Sequence, residues 1–350
     1  MIEQVGLKIL RTLDPEVAHL IAIKAIQAGL TPQTKQITSD RLKISIAGLE
    51  LPNPVGLAAG FDKNAEALEG LSRSGFGFVE VGAATPLPQD GNPKPRLFRL
   101  NEDEAAINRL GFSNVGMEKI SQRLSMRPKG LITGLNLGAN KSSSDRTKDF
   151  AKVLKHCGPF IDFATVNVSS PNTEKLRDLQ EKYVLKNLLT NVLEARQKLK
   201  NHIPVFLKIA PDLNQAALED IAEIVIEKKI DAVISTNTTI MRDNLKSAYR
   251  IEKGGLSGKP LFHPSTHILA KLALLLGSNI PLIGVGGIST AQDAYDKICA
   301  GASIVQLYTA LLYHGLSLAK KIAIELDLLL EQDGFDNVSA AVGSRIDDFC

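Results

Sequence analysis

Eight short, apolar, largely β-branched segments recur along the chain: Pro54–Ala58, Gly77–Val81, Leu131–Asn136, Phe163–Val168, Val205–Lys208, Ala232–Ser235, Leu282–Gly284 and Ile304–Leu307. Near-continuous apolar runs of this length are what strands buried on both faces of a parallel sheet look like. Between most of them lie stretches with helical periodicity, among them Leu185–Leu199, Gln215–Lys228, Thr266–Leu276 and Thr290–Ile298. Strand–helix alternation repeated eight times over roughly 250 residues predicts an α/β fold of the (β/α)8 TIM-barrel type. An open doubly wound sheet is the alternative, but it normally uses fewer strands.

The segment ahead of the barrel reads as a small N-terminal helical extension, residues 1–40, with the barrel itself in 41–350. Ile2, Val5, Ile9 and Leu13 recur at helical spacing. A second helix has clear punctuation, with Asp14 as cap, Pro15 at the first helical position and Gly29 past the end. Its apolar face (Val17, Leu20, Ile21, Ile23, Ala25 and Ile26) is too wide for one side of an isolated surface helix. Either it packs on the main domain or it dips into a membrane surface. Thr31–Asp40 is a polar linker, and Lys43–Leu51 alternates around Gly48 as a small hairpin. At the other end, Gly334–Phe349 predicts one last short helix capped by Asn337 or Ser339.

Composition narrows the classes. Of the 350 residues, 44% are hydrophobic and 23% charged, enough to bury a full core. A net charge of +3 is too small to make nucleic acid the main partner. Cys157, Cys299 and Cys350 are odd in number and widely spaced, so they predict reduced thiols rather than a disulfide frame or metal set. No run reaches the ~18 apolar residues that span a bilayer, and no signal peptide is visible. The expectation is a protein that stays inside the cell.

The groups that follow the strands carry the chemistry. The first strand leads to Ala59-Gly60-Phe61-Asp62-Lys63, the third ends in Asn136, and the fourth leads to Asn167 and Ser170. The fifth ends in Lys208, the sixth leads to Thr236-Asn237-Thr238, the seventh to Gly286-Gly287, and the eighth to Tyr308-Thr309. In a barrel the C-terminal ends of the strands form the active face. Glycine pairs after the seventh strand suit a phosphate, because backbone N–H groups can close around its oxygens where no Cβ intervenes. Gly254–Gly258 is a second glycine-rich turn that can serve the same anion. No histidine or cysteine cluster and no close carboxylate pair is present, which argues against metal catalysis and two-carboxylate hydrolysis. Amides and hydroxyls suit recognition of a planar, amide-rich ring, leaving redox chemistry to a cofactor. Lys208 is placed to stabilise negative charge on a reduced flavin.

AAGFDK (58–63), GNPKPRLFRL (91–100), INRLGF (107–112), NVSSPNT (167–173), KIAPD (208–212), TNTT (236–239), GGLSG (254–258) and GVGGI (284–288) occur in that order. With them the whole chain closely resembles the class 2, quinone-dependent dihydroorotate dehydrogenases. The resemblance implies an FMN-containing barrel that oxidises (S)-dihydroorotate to orotate in pyrimidine synthesis and passes electrons to a membrane quinone. It implies an FMN cradle of Ala59, Gly60, Phe61, Asp62, Lys63, Ala83, Asn136, Asn167, Lys208, Thr236, Gly258, Gly287, Tyr308 and Thr309. Substrate contacts would come from Lys63, Asn108, Arg109, Leu110, Gly111, Phe112, Asn167, Asn172, Asn237 and Thr238. Ser170 stands where class 2 members carry their catalytic base and class 1 members a cysteine. His19 and Arg99 stand where quinone contacts occur.

One departure is Ala83, where the family often has Thr or Ser; Thr85 is the candidate replacement. Thr173 is a candidate proton relay, and Lys175 with Arg177 a candidate lid. The implied location is peripheral, on lipid at the cytoplasmic face of the inner membrane. A class 1 enzyme using fumarate or NAD is the nearest rival. A dihydrouridine synthase would need a basic RNA surface and a cysteine acid, and a non-catalytic barrel would leave the crowded active face unexplained.

Overall fold

The computed structural model describes residues 2–172 and 176–350. Thr173 and Lys175 therefore lie outside the described residues. In chain order the strands are β1 (Ile44–Ile46), β2 (Leu49–Leu51), β3 (Val55–Leu57), β4 (Phe78–Ala84), β5 (Leu97–Leu100), β6 (Ala105–Asn108), β7 (Ile132–Leu137), β8 (Phe163–Asn167), β9 (Val205–Ile209), β10 (Ala232–Ser235), β11 (Gly255–Gly258), β12 (Leu282–Val285) and β13 (Ala302–Leu307). The eight strands β3, β4, β7, β8, β9, β10, β12 and β13 pair in parallel in that order and close into a barrel, β13 returning to β3. This is the expected (β/α)8 architecture, and each barrel strand overlaps the segment predicted for it.

Helices α1 (Ile2–Leu10) and α2 (Pro15–Gln27) precede the barrel, followed by α3 (Leu68–Leu71), α4 (Met117–Leu124), α5 (Arg146–Cys157), α6 (Lys182–Gln197), α7 (Gln215–Glu227), α8 (Phe262–Leu276), α9 (Ala291–Cys299), α10 (Leu311–His314), α11 (Ser317–Gln332) and α12 (Val338–Ala341). Local chemistry starts several of them. The Asp14 carboxylate accepts from the Glu16 and Val17 amides ahead of α2, and Thr290 and Asp293 form a reciprocal capping box on α9. Asn337, rather than Ser339, caps the short α12. The β1–β2 hairpin forms in the expected antiparallel register, Ile46 opposite Leu49.

Inside the barrel the two-residue period of the strands sorts side chains into layers. At one end Phe163 stacks on Phe206 with ring centroids 4.9 Å apart, and Phe78 meets Phe163 edge-on at 6.1 Å. Burying each ring contributes about 1.5–3 kcal/mol. The rings fit only because neighbouring strands carry glycine: a Cβ on Gly134 would lie 2.0 Å from the Phe163 ring. Two residues further along β4, β8 and β9, the same face carries Glu80, Thr165 and Lys208. The barrel interior therefore runs from aromatic to polar along its axis.

One element differs from the expectation. The Gly254–Gly258 stretch is a strand rather than a turn: Gly255–Gly258 is β11, paired antiparallel with β6, which pairs in turn with β5. This sheet covers a small separate core of Phe98, Leu100, Ala105, Ile107, Leu245 and Leu256. Glycine is required there because the strand passes close to other groups; a Cβ on Gly255 would lie 2.1 Å from Thr238 Oγ1.

The N-terminal pair packs on the main domain, the first of the two readings its sequence left open, and also leaves apolar side chains exposed. Ala18, Ile23 and Ile26 are buried against the body of the protein, with Ile26 against Gly70 of α3. Val5, Ile9, Val17, Leu20 and Ile21 are exposed on the two helices. Among the described residues no helix is long and apolar enough to cross a membrane.

Candidate active site

The C-terminal ends of the barrel strands open into a cleft flanked by β6 and β11. Its floor is a chain of amides anchored on a buried carboxylate. Glu80, fully buried, accepts from Asn136 Nδ2 and Gln306 Nε2, each at 2.7 Å. A carboxylate only accepts, so Asn136 must present its nitrogen to it and turn Oδ1 the other way. That oxygen accepts from Asn167 Nδ2 at 2.9 Å, and Asn167 Oδ1 accepts from Asn237 Nδ2 at 3.2 Å. Donor and acceptor directions are thus propagated from inside the barrel to the cleft. Lys208 is 5% exposed and reaches the cleft with no ion-pair partner among the described residues. Burial holds its ammonium below the usual lysine range, and the charge of Glu80 partly opposes that.

Above this floor stand Ser170, Asn172, Asn108, Asn237, Thr238 and Lys63, all lining the cleft. Ser170 is 8% exposed, and its Oγ accepts the Asn172 amide at 3.3 Å. Asn172 donates to Asn108 Oδ1 at 3.0 Å, which leaves Asn172 Oδ1 buried without a partner among the described residues. Thr238 Oγ1 and Gln306 Oε1 are in the same condition. Buried polar atoms without partners are costly; three of the seven such atoms among the described residues belong to side chains lining this cleft, where a ligand can complete the bonding. Lys63 is pushed down to about 8, chiefly by burial, with Glu16 and Asp62 pulling the other way. An anion beside it would restore the ordinary lysine state.

At the far end Gly258, Gly287, Tyr308 and Thr309 close the cleft. Gly287 has φ +75°, and a Cβ on it would lie 2.5 Å from the Phe262 backbone, so the turn lies directly on the start of α8. Ala59, Gly60, Ala83, Thr236, Leu110, Gly111 and Phe112 complete the lining expected from the sequence.

Other expected residues stand elsewhere. Phe61 is buried beside the cleft, edge-on to Tyr308 at 5.5 Å and to His19 at 5.4 Å. The Asp62 carboxylate accepts from the Glu66 and Ala67 amides, each at 2.8 Å, so it shapes the loop rather than lining the cleft. Arg109 turns outward to Glu252 at 2.7 Å and lies over the Phe98 ring. His19 is pushed down to about 3 by burial and by the charge of Lys63, so it stands there as neutral imidazole. Arg99 is bound to the carbonyl of Arg11 between α1 and α2. Arg177 is pinned to Ser169 O, Asp212 and Thr238 O. Thr85 does not stand in for a hydroxyl at Ala83: its Oγ1 donates to Leu87 O and accepts from Asn114, away from the cleft.

Glu80 and Gln306 are not singled out by the sequence, and Ser257, whose Oγ accepts from Thr309 Oγ1 at 2.8 Å, is visible there only as part of the glycine-rich 254–258 stretch. The first two had a visible signal, a polar residue in the middle of an otherwise apolar barrel strand, which needs a partner or a purpose.

Comparison with known proteins agrees with this geometry. Residues 41–330 match the family model described as dihydroorotate dehydrogenase. A protein of Cereibacter sphaeroides named dihydroorotate dehydrogenase (quinone) is 57% identical over 98% of both chains. The mitochondrial dihydroorotate dehydrogenase (quinone) of Mus musculus is 48% identical over 95% of this chain and 87% of its own. Among solved structures, the Eimeria tenella enzyme crystallised with ferulenol superposes with a TM-score of 0.91 at 38% identity, covering 95% of each chain. The chain therefore belongs to the dihydroorotate dehydrogenase family, in its quinone-dependent class.

Proposed function

We propose that the cleft binds FMN and (S)-dihydroorotate side by side and oxidises the substrate to orotate for pyrimidine synthesis, with a membrane quinone as final electron acceptor. The fit to FMN rests on the cleft itself. A glycine turn free of Cβ atoms closes one end, and an unpaired buried ammonium, Lys208, lies on the floor with the unpartnered Gln306 Oε1. Gly287, Gly258, Thr309 and Tyr308 would hold the phosphate end, while Asn136, Asn167, Lys208, Thr236 and the Ala59–Lys63 and Ala83 backbones would hold the ring. FMN supplies the two-electron acceptor for the substrate's hydride and the link to the quinone.

The chain's own residues do the rest. The Lys63 ammonium pairs with the substrate carboxylate and regains the charge that burial disfavours. Asn167 and Asn237 bond the ring amides in directions set by Glu80 through Asn136; Asn108 and Asn172 add further amide partners, and Thr238 Oγ1 is available beside them. Ser170 Oγ takes the C5 proton of the substrate. Neither a histidine nor a carboxylate is hydrogen-bonded to it among the described residues, so it passes the proton onward to solvent and works better as pH rises.

The N-terminal pair, residues 1–40, is the quinone-facing part. Its exposed apolar face suits the lipid surface, on the cytoplasmic side of the inner membrane, and His19 joins it to Phe61 and Tyr308 at the cleft edge. Arg99 holds the two helices in place. The observation that carries the reading is the convergence of Ser170, Lys63, Lys208 and five asparagines on one cleft with unpartnered polar atoms.

The test is anaerobic addition of dihydroorotate to the purified protein while the visible flavin band is followed, and then addition of a quinone. Bleaching by substrate and recovery with quinone are expected. A colourless protein, or recovery only with fumarate or NAD, overturns the reading.

A further inference from the structure

Lys297 is fully buried on α9, and nothing in the chemistry above uses it. Its Nζ donates to Ser265 Oγ at 2.8 Å and to Thr266 Oγ1 at 2.9 Å, both on α8, and lies 5.1 Å over the Phe262 ring. No carboxylate stands within ion-pair distance of it among the described residues. Asp293, one turn away on the same helix, accepts from Ser289 and Thr290 through Oδ2, and its charge partly opposes the effect of burial on Lys297. Burial pushes the ammonium down to about 7. A cation shut away from water, with hydroxyls as its hydrogen-bond partners and its one carboxylate neighbour beyond ion-pair distance, is expensive, and a further negative charge nearby offsets that cost.

The neighbours of Lys297 show where that charge would be. Ser265 Oγ, which accepts from the ammonium, lies 3.2 Å from the carbonyl of Gly286 and 3.1 Å from that of Phe262, which share its one proton. Gly286 and Gly287 form the turn that closes the cleft, and Gly287 rests on the Phe262 backbone. A single hydroxyl therefore separates the buried cation from the turn.

We propose that Lys297 is a positioning residue for the FMN phosphate: it holds the Gly286–Gly287 turn through Ser265 and supplies the buried positive charge that a phosphate dianion in that turn offsets. The proposal rests on the reading of the cleft as an FMN site. Linkage makes the effect reciprocal: whatever the phosphate contributes to keeping Lys297 charged, Lys297 contributes to holding the phosphate. A flavin without a phosphate gains nothing from the pair.

The test uses the full-length protein loaded with FMN or with riboflavin, and measures flavin release by recovery of flavin fluorescence after dilution. Lys297→Met keeps the length of the side chain and removes the charge. It is expected to accelerate FMN release on the order of tenfold, within the usual range of coupling between sites, and riboflavin release less than about twofold. If Lys297→Met does not fold, Ser265→Ala leaves the cation in place and cuts the link; FMN release alone should then accelerate severalfold. In whichever variant folds, an unchanged FMN release, or an equal acceleration for both flavins, overturns the proposal. If the parent protein releases FMN no more slowly than riboflavin, the phosphate is not held at all, and the FMN reading falls along with the role of Lys297.

Discussion

Glu16, at the start of α2, is one of the polar anchors between the N-terminal pair and the rest of the protein, bound to the segment that leads into β5, and its removal makes a quantitative test. Its carboxylate accepts from Arg96 Nε at 3.2 Å and Nη2 at 2.9 Å, with Lys94 at 3.7 Å. Arg96 is 9% exposed and Glu16 19% in their side chains, so the pair lies between the surface and buried classes. Breaking a fully buried pair costs about 3–5 kcal/mol and an exposed one under about 1 kcal/mol. Glu16→Gln retains one acceptor and the packing of Ile23 and Ile26, which places its cost at about 2 kcal/mol. That cost falls on the docking of α2, because the barrel core is untouched. Hydrogen exchange is the assay: 2 kcal/mol is a factor of about 30, so protection of the α2 amides should fall about 30-fold while barrel-strand amides hold. Unchanged protection of α2, or an equal loss across the barrel, would refute the reasoning.

Other perturbations separate the parts of the site. Ser170→Ala should slow flavin reduction by about 10²–10⁴ in stopped flow while leaving orotate binding intact, as expected for loss of a base. Because Lys63 loses its proton as pH rises through about 8, orotate binding should weaken above that pH and strengthen below it; in Lys63→Met, equilibrium titrations should show weaker and nearly pH-independent binding. Glu80→Gln removes the negative charge nearest the buried Lys208, so spectroelectrochemical titration should show a higher midpoint potential for bound FMN, and a lower one would contradict the assignment. Phe163→Ala should cost about 3–5 kcal/mol in denaturant unfolding, since its ring fills the space left by Gly134.

The barrel was legible because strands buried on both faces must be apolar throughout, and their helical connections carry a different period. Val205–Ile209 and Ala232–Ser235 were readable for that reason to within a residue. The antiparallel sheet was not. β11 is GLSG, a run whose local preference is for a turn, and only the close approach of Thr238 explains why glycine serves as strand there. Within the site, strand-end groups such as Asn136, Lys208 and Ser170 stood out because polar residues there have nowhere to go but the active face. Asp62 and Arg109 sit in equally suggestive motifs, yet one turns into its own loop and the other outward to Glu252.

The order of apolar periods, the polar groups ending each strand and the glycines of the turns determined by themselves the barrel, the active face and the family resemblance. Those features are local, and local sterics and burial dictate them. Which way each side chain faces across the cleft was decided only by the tertiary structure. Glu80, Gln306 and Lys297 come from strands and helices far apart in sequence. What they do follows from hydrogen bonds and buried charge that exist only once the barrel has closed.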